Sequence, residues 1–258
     1  MQVRPDGYEP AVDQHLASVR RDYGSRTFGP EEAGDDPMAT FRRWLDAAIR
    51  EGAGGDPTAM TLATASPAGL PTARMVLLKD LDPVAASFTW FTSLESRKAF
   101  DLLENPHAAL CFWWPGTAAR QVRVTGRVEE VDAATASAYF ATRPREAQAA
   151  AAISHQSRGC VDRTALDARI QAALASSAPI DKPQTWGGYR LVAEEIEFWQ
   201  GRNGRAHDRI AFLRLDERGD PYSARAVVAA GGSRALSTVA ERIRDPHGQG
   251  WLRVRLEP

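Results

Sequence analysis

The chain has 258 residues, 32 Lys+Arg against 33 Asp+Glu, a formal net charge of −1 and 43% hydrophobic residues. Ordinary hydrophobic content at near-zero charge excludes a disordered chain, and the lack of a basic excess excludes one built to neutralise nucleic-acid phosphates. The opening MQVRPDGYEP lacks the basic-then-apolar pattern of a secretory leader, and the longest apolar runs, at 75–78 and 108–114, fall far short of the roughly 20 residues of a membrane span. Cys111 and Cys160 are too few for a disulfide framework. A cytoplasmic globular protein with no nucleic-acid or membrane partner is expected.

In chain order, residues 1–35 are rich in Pro, Gly and charge and are expected to form an arm with one helical piece near 12–23; residues 36–258 read as a single domain. Asp36-Pro37 pairs an N-cap with a proline at the first helical position, and Phe41, Trp44, Leu45, Ala48 and Ile49 recur at helical spacing until the glycines of 52–55. Short β segments follow at 60–65 and 72–79 around a Ser66-Pro67-Ala68-Gly69 hairpin loop, then at 87–92. A helix over 96–103 ends at Asn105-Pro106. Strands are predicted at 108–114 and 121–131, the second with Val122, Val124 and Val128 alternating against Arg123, Thr125 and Arg127. The alanine-rich stretch 132–176 reads as helical, broken at Arg143-Pro144. Strands return at 188–198, 205–213 and 251–256, and a glycine-flanked helix is predicted at 233–244. Strands in hairpin order with helices inserted late give a mainly β fold with α elements (α+β), an antiparallel barrel or sandwich.

No dinucleotide fingerprint, P-loop, zincin motif or nucleophile elbow is present, and no His/Cys/carboxylate cluster has metal-ligand spacing. The candidate chemistry is cationic. Ser96-Arg97-Lys98 opens a helix, where free N–H groups and two cations make either a phosphate seat or an exposed basic surface. On a strand, Arg205, His207 and Arg209 would share one face, which calls for an anion or an acidic group opposite or else a solvated surface. Arg74 and Lys79, five residues apart, need a bulge or bend to meet one ligand. Tyr139 and Arg143 fall on one helical face. Gln121, His155, Gln156 and Ser157 add hydrogen-bonding groups, and Trp113, Trp114, Trp186 and Trp199 fit a core.

In order along the chain, Arg20-Arg21-Asp22-Tyr23, Arg74 to Lys79, Ser96-Arg97-Lys98-Ala99, Arg120-Gln121-Val122, Tyr139-Phe140, Arg143-Pro144-Arg145, Gln156-Ser157, Trp186-Gly187-Gly188, Glu197 to Gly201 and His207-Asp208-Arg209 resemble the pyridoxamine 5′-phosphate oxidase family. A last echo lies in Trp251 and Arg255 to Pro258. The resemblance implies an FMN-binding split β-barrel with peripheral helices, working as a homodimer with the flavin at the subunit interface. It implies oxidation of pyridoxamine or pyridoxine 5′-phosphate to pyridoxal 5′-phosphate, with O2 as acceptor and H2O2 as product.

Residues carried over for FMN are Arg74, Met75, Val76, Leu77, Leu78, Lys79, Phe91, Thr92, Arg97, Lys98, Gln121, Gln156, Ser157, Trp199 and Arg209. Those for substrate are Lys79, Tyr139, Arg143, Arg205 and His207, the last two catalytic, with the arm 20–23 closing over the site. The chain departs from the family pattern in having Glu146-Ala147-Gln148 where a phosphate-binding serine is usual, Phe91 where tyrosine is common, and an apparent insertion at 216–249. Oxidation of a phosphate-free substrate of the dihydrophenazine type, or flavin binding without turnover, are the alternatives the same scaffold implies.

Overall fold

The computed structural model describes residues 14–19, 22–52, 54–116, 118–160, 162–222 and 240–258. Three helices precede the barrel, α1 (Gln14–Ser18), α2 (Pro30–Ala33) and α3 (Pro37–Glu51). As the sequence implies, Asp36 caps α3 by accepting the N–H groups of Met38 and Ala39 at 2.9 and 3.0 Å, and Gly52 ends it in the left-handed region at φ 59°. The helix buries Phe41, Trp44 and Leu45 under the barrel. Phe28 and Ala33, in the stretch read as an arm, belong to the same core.

The barrel begins with β1 (Ala59–Ala65), β2 (Pro71–Leu77), β3 (Asp80–Asp82) and β4 (Ser87–Ser93). After α4 (Arg97–Glu104) come β5 (His107–Trp114) and β6 (Arg120–Glu130), then α5 (Ala133–Thr142), α6 (Arg145–Ile153) and α7 (Arg163–Ala175). The chain continues through β7 (Trp186–Gln200), β8 (Asp208–Arg214), β9 (Ala240–Arg244) and β10 (Gly250–Leu256). Every ladder is antiparallel, in the order β2-β1-β5-β6-β7-β8-β10-β9, with β4 between β3 and β7. The 15-residue β7 creates the split. One edge takes β6; the other is shared, β4 pairing 186–192 and β8 pairing 195–200. The ladder shifts register between Thr125 and Gly126, where a Cβ on Gly126 would lie 2.0 Å from the Val192 carbonyl oxygen.

Strand alternation sorts the residues. Phe112, Val122, Phe198 and Ile210 sit opposite one another across β5–β8, fully buried in the core. One residue along, Trp113, Gln121, Trp199 and Arg209 form the next row on the outer face.

Three expectations are corrected. Residues 240–244 of the predicted 233–244 helix form strand β9, because they pair with β10; 233–239 lie outside the described residues. The 205–213 strand starts only at Asp208, since Arg205 ends a 3₁₀ turn (Asn203–Arg205) at φ 65°. The helical piece near 12–23 is described only as α1; Arg20 and Arg21 lie outside the described residues, and Asp22 and Tyr23 are irregular.

Candidate active site

A cavity of about 900 Å³ opens between β2, β4, the start of α4 and the α5–α6 pair. Arg74, Lys79, Arg97, Lys98 and Arg143 all line it, and among the described residues no Asp or Glu does. The bend required between Arg74 and Lys79 is present: β2 ends at Leu77, and Lys79 turns to donate its backbone N–H to Thr89. Leu78, expected at the cofactor, is instead 5% exposed and packs into the core. Met75, Val76 and Leu77 line the cavity from β2, an edge strand of the sheet.

Lys98 is the most constrained of the cations. The residue is 6% exposed, and its ammonium donates to Thr92 Oγ1, Ser96 Oγ and Gln156 Oε1 at 2.9, 2.9 and 2.7 Å. All three are neutral, and burial with Arg74 nearby pushes its pKa down to about 8. Beside it the Arg97 N–H donates to Ser157 Oγ at 3.3 Å. Ser157 holds φ 71°, a strained conformation for a residue with a Cβ. Arg74 is fixed from behind by Thr64 Oγ1, Thr72 Oγ1 and the Leu62 carbonyl, with the Asp101 carboxylate 4.0 Å away. Asp101 in turn accepts from both threonines.

The other side of the cavity is aromatic. Tyr139 stacks on Phe91 at 4.1 Å, Phe91 on Trp186 at 5.6 Å, and the Arg143 guanidinium lies 4.9 Å from the Trp186 ring centre. Helix α5 ends at Thr142, so Arg143 reaches the cavity as its cap residue. Arg143 Nη1 is buried without a hydrogen-bond partner, a donor awaiting an acceptor. Burial, opposed by Arg143, raises the Tyr139 pKa and keeps its hydroxyl protonated. Helix α6 contributes Ala147, Ala150 and Ala151, an apolar wall. Trp186, which fits a core by composition, is both buried and cavity-lining; only its place in Trp186-Gly187-Gly188 signals this.

Gln121, Trp199, Arg205, His207 and Arg209 are absent from the cavity and gather at the other end of β7, thirteen residues from Trp186. His207 lies 4.6 Å from Trp199 and 5.6 Å from Tyr23, ring centre to ring centre. Tyr23 is seated on Gly201, where a Cβ would meet it at 2.8 Å, and Gly24 and Asn203 bond each other in both directions. The predicted shared face of Arg205, His207 and Arg209 is lost because both Arg205 and His207 precede the strand. The acid that such cations call for is Glu197, which accepts from Arg209 Nε and Nη2 at 2.9 and 3.2 Å and also pairs with Arg123. Glu197 and the buried Asp208, which holds the Phe28 N–H, Arg202 and Arg255, were not among the expected site residues. Their placement depends on cross-strand register.

Comparison with known proteins covers the segments that carry both clusters. Residues 45–176 match the model of pyridoxamine 5′-phosphate oxidase, and residues 186–258 match that of the pyridoxine 5′-phosphate oxidase C-terminal dimerisation region. A pyridoxine/pyridoxamine 5′-phosphate oxidase of Cupriavidus necator is 47% identical over 208 residues, 80% of this chain and 95% of that protein. The one of Legionella pneumophila (strain Paris) is 42% identical over 201 residues, 77% and 92%. Among solved structures, PhzG from Burkholderia lata, in complex with tetrahydrophenazine-1-carboxylic acid, superposes with a TM-score of 0.71 at 24% identity, covering 91% of this chain and all of that one. An FMN-binding, pyridoxamine 5′-phosphate oxidase-related protein from Nostoc punctiforme gives 0.57 at 14% identity, covering 70% and 93%. With both family models matched and the relatives covered nearly end to end, the chain belongs to the pyridoxamine 5′-phosphate oxidase family.

Proposed function

We propose that this homodimeric, cytoplasmic oxidoreductase uses FMN to convert pyridoxamine or pyridoxine 5′-phosphate to pyridoxal 5′-phosphate, reducing O2 to H2O2. The observation that carries the reading is a cavity lined by five cations and, among the described residues, no carboxylate. Such a charge set fits two phosphate-bearing ligands. Lys98, Arg97, Arg74, Gln156 and Ser157 would hold the flavin phosphate: a buried ammonium with only neutral partners is a cation whose counter-ion is the ligand. Thr92, Phe91 and the 74–79 segment would flank the rest of the cofactor. Lys79, Tyr139 and Arg143 would take the substrate phosphate, with Arg143 Nη1 gaining the acceptor it lacks.

Bound FMN supplies the two-electron acceptor. The protein supplies position and electrostatics. Arg205 and His207, with Gln121, Trp199 and Arg209, would come to this cavity from the second copy, Arg205 and His207 lying against the substrate ring. The stacked rings of Phe91, Tyr139 and Trp186 would wall the phosphate end.

An anaerobic titration of the flavin-loaded protein with pyridoxamine 5′-phosphate tests the reading. Bleaching of the visible flavin band at stoichiometric substrate, reversed by air, is the expected result; a flavin that binds and stays oxidised would sink the assignment. Ala147 favours a second reading, oxidation of a phosphate-free aromatic of the dihydrophenazine type, because a methyl group there offers no donor to a phosphate. That reading predicts bleaching only with such a substrate.

A further inference from the structure

Around Arg74 each hydrogen has a traceable destination. Thr64 and Thr72 face each other across β1 and β2, and each hydroxyl carries a single hydrogen. The nearest carboxylate, Asp101 on α4, can only accept, and a charged acceptor outcompetes a neutral one. Both hydroxyls therefore donate to its Oδ2, at 2.6 and 3.0 Å. Although the two hydroxyl oxygens lie 3.1 Å apart, neither has a hydrogen left for the other. Each can only accept from Arg74, whose Nη1 and Nη2 donate to Thr64 and Thr72 at 2.9 and 2.5 Å. The Leu62 carbonyl takes the second Nη1 hydrogen at 3.1 Å.

A guanidinium has five N–H groups, and three are now used. The two left, Nε–H and the outer Nη2–H, run parallel along one edge and have no partner among the described residues. Such an edge is the fork that takes a phosphate bidentately, and Arg74 lines the cavity. Asp101 does not line it and stays 4.0 Å from Nη2, beyond hydrogen-bond reach, so it acts through the threonines. Burial lowers the Arg74 pKa and Arg97 adds to this, while Asp101 opposes both.

Resting on the flavin reading above, we infer that Asp101 is a positioning residue for the flavin phosphate. It orients both threonine hydroxyls, which hold one edge of Arg74 and leave the Nε–Nη2 edge open for the ligand. The ligand class it favours is a flavin carrying a terminal phosphate, over the same flavin without one.

Fluorescence titrations of the apoprotein with FMN and with riboflavin test this. Asp101→Leu keeps the shape of the side chain and removes the acceptor, whereas Asp101→Asn keeps one acceptor oxygen and removes the charge. The leucine variant should bind FMN about tenfold more weakly, the worth of one such anchor, with riboflavin affinity unchanged. The asparagine variant should recover most of that loss. In an Arg74→Met background, Asp101→Leu should cost nothing further, because its effect runs through Arg74. A mere tether of α4 to β1 and β2 would instead weaken both flavins and act without Arg74. Either result overturns the inference, as does an unchanged FMN affinity or an asparagine variant as weak as the leucine one. A second measurement requires no Asp101 variant to fold. In ¹⁵N-arginine-labelled apoprotein, with Arg74→Met identifying the signals, Arg74 should show separate Nη1 and Nη2 resonances, since bonds to both nitrogens stop rotation of the fork. One averaged resonance overturns the anchor. A wild type that binds FMN no more tightly than riboflavin would sink the flavin-phosphate reading, and this spectrum would still decide whether Arg74 is held.

Discussion

Burial among three neutral acceptors, beside Arg74, makes the Lys98 ammonium less favourable in the empty site than in water, hence its pKa near 8 against an ordinary 10.5. A phosphate arriving beside it favours the charged form, so binding restores the proton and raises the pKa again. The sign follows. Between the phosphate's own second pKa of about 6 and about pH 8, Lys98 is already charged and flavin affinity is flat. Above it the empty site loses the proton that the bound state needs, and FMN affinity should fall by up to about tenfold per pH unit. Fluorescence titration of the apoprotein with FMN measures this. Riboflavin, which lacks the phosphate, should show no such slope, and Lys98→Met should abolish it. Ala147 makes a separate prediction at the other phosphate. Ala147→Ser adds a donor to a charged acceptor, worth about 1.5–3 kcal/mol, and should lower KM for pyridoxamine 5′-phosphate by roughly 10- to 150-fold. An unchanged KM would favour the phosphate-free substrate.

At the scale of elements, β7 serves both clusters, and its geometry depends on the register shift opposite Gly126. Because a Cβ there would lie 2.0 Å from a main-chain oxygen, Gly126→Ala must displace the β6–β7 ladder. We expect a loss of about 2 kcal/mol or more in thermal unfolding, with weaker flavin binding, since β7 also anchors β4 and its Phe91 and Thr92. Elements with local chemistry were legible from sequence. Asp36-Pro37 and Gly52 bound α3 as expected, and Val122, Val124 and Val128 alternate as a buried strand face should. Misreadings arose where partners in space decide. Residues 240–244 have no strong strand pattern and become a strand by pairing with β10, while Arg205 looks like the first residue of a strand but lies in a 3₁₀ turn. The cavity's cations were legible through ordered motifs. Glu197 and Asp208 lie in those motifs too, but their ion pairs were not legible, because the cations they hold come from neighbouring strands.

In the whole molecule, the two clusters lie at opposite ends of one strand. Trp186 lines the cavity while Trp199 packs on His207, and thirteen residues of strand separate them. At about 3.3 Å per residue this is roughly 40 Å of chain, and none of Gln121, Trp199, Arg205, His207 and Arg209 lines the cavity. A single copy therefore does not assemble Arg143 and His207 around one substrate. A two-fold dimer can, by placing each copy's 205–209 segment over the other's cavity. This arrangement has a quantitative consequence. Lys98→Met and Arg205→Ala should each inactivate the homodimer, the first through the cavity and the second through the opposing cluster. When the two inactive proteins are unfolded together, refolded and supplied with FMN, half of the random dimers are mixed. Each mixed dimer then holds one site with both substitutions and one with neither, so about a quarter of wild-type activity should return. Were each site built from one chain, every site in the mixture would keep one lesion and no activity would reappear.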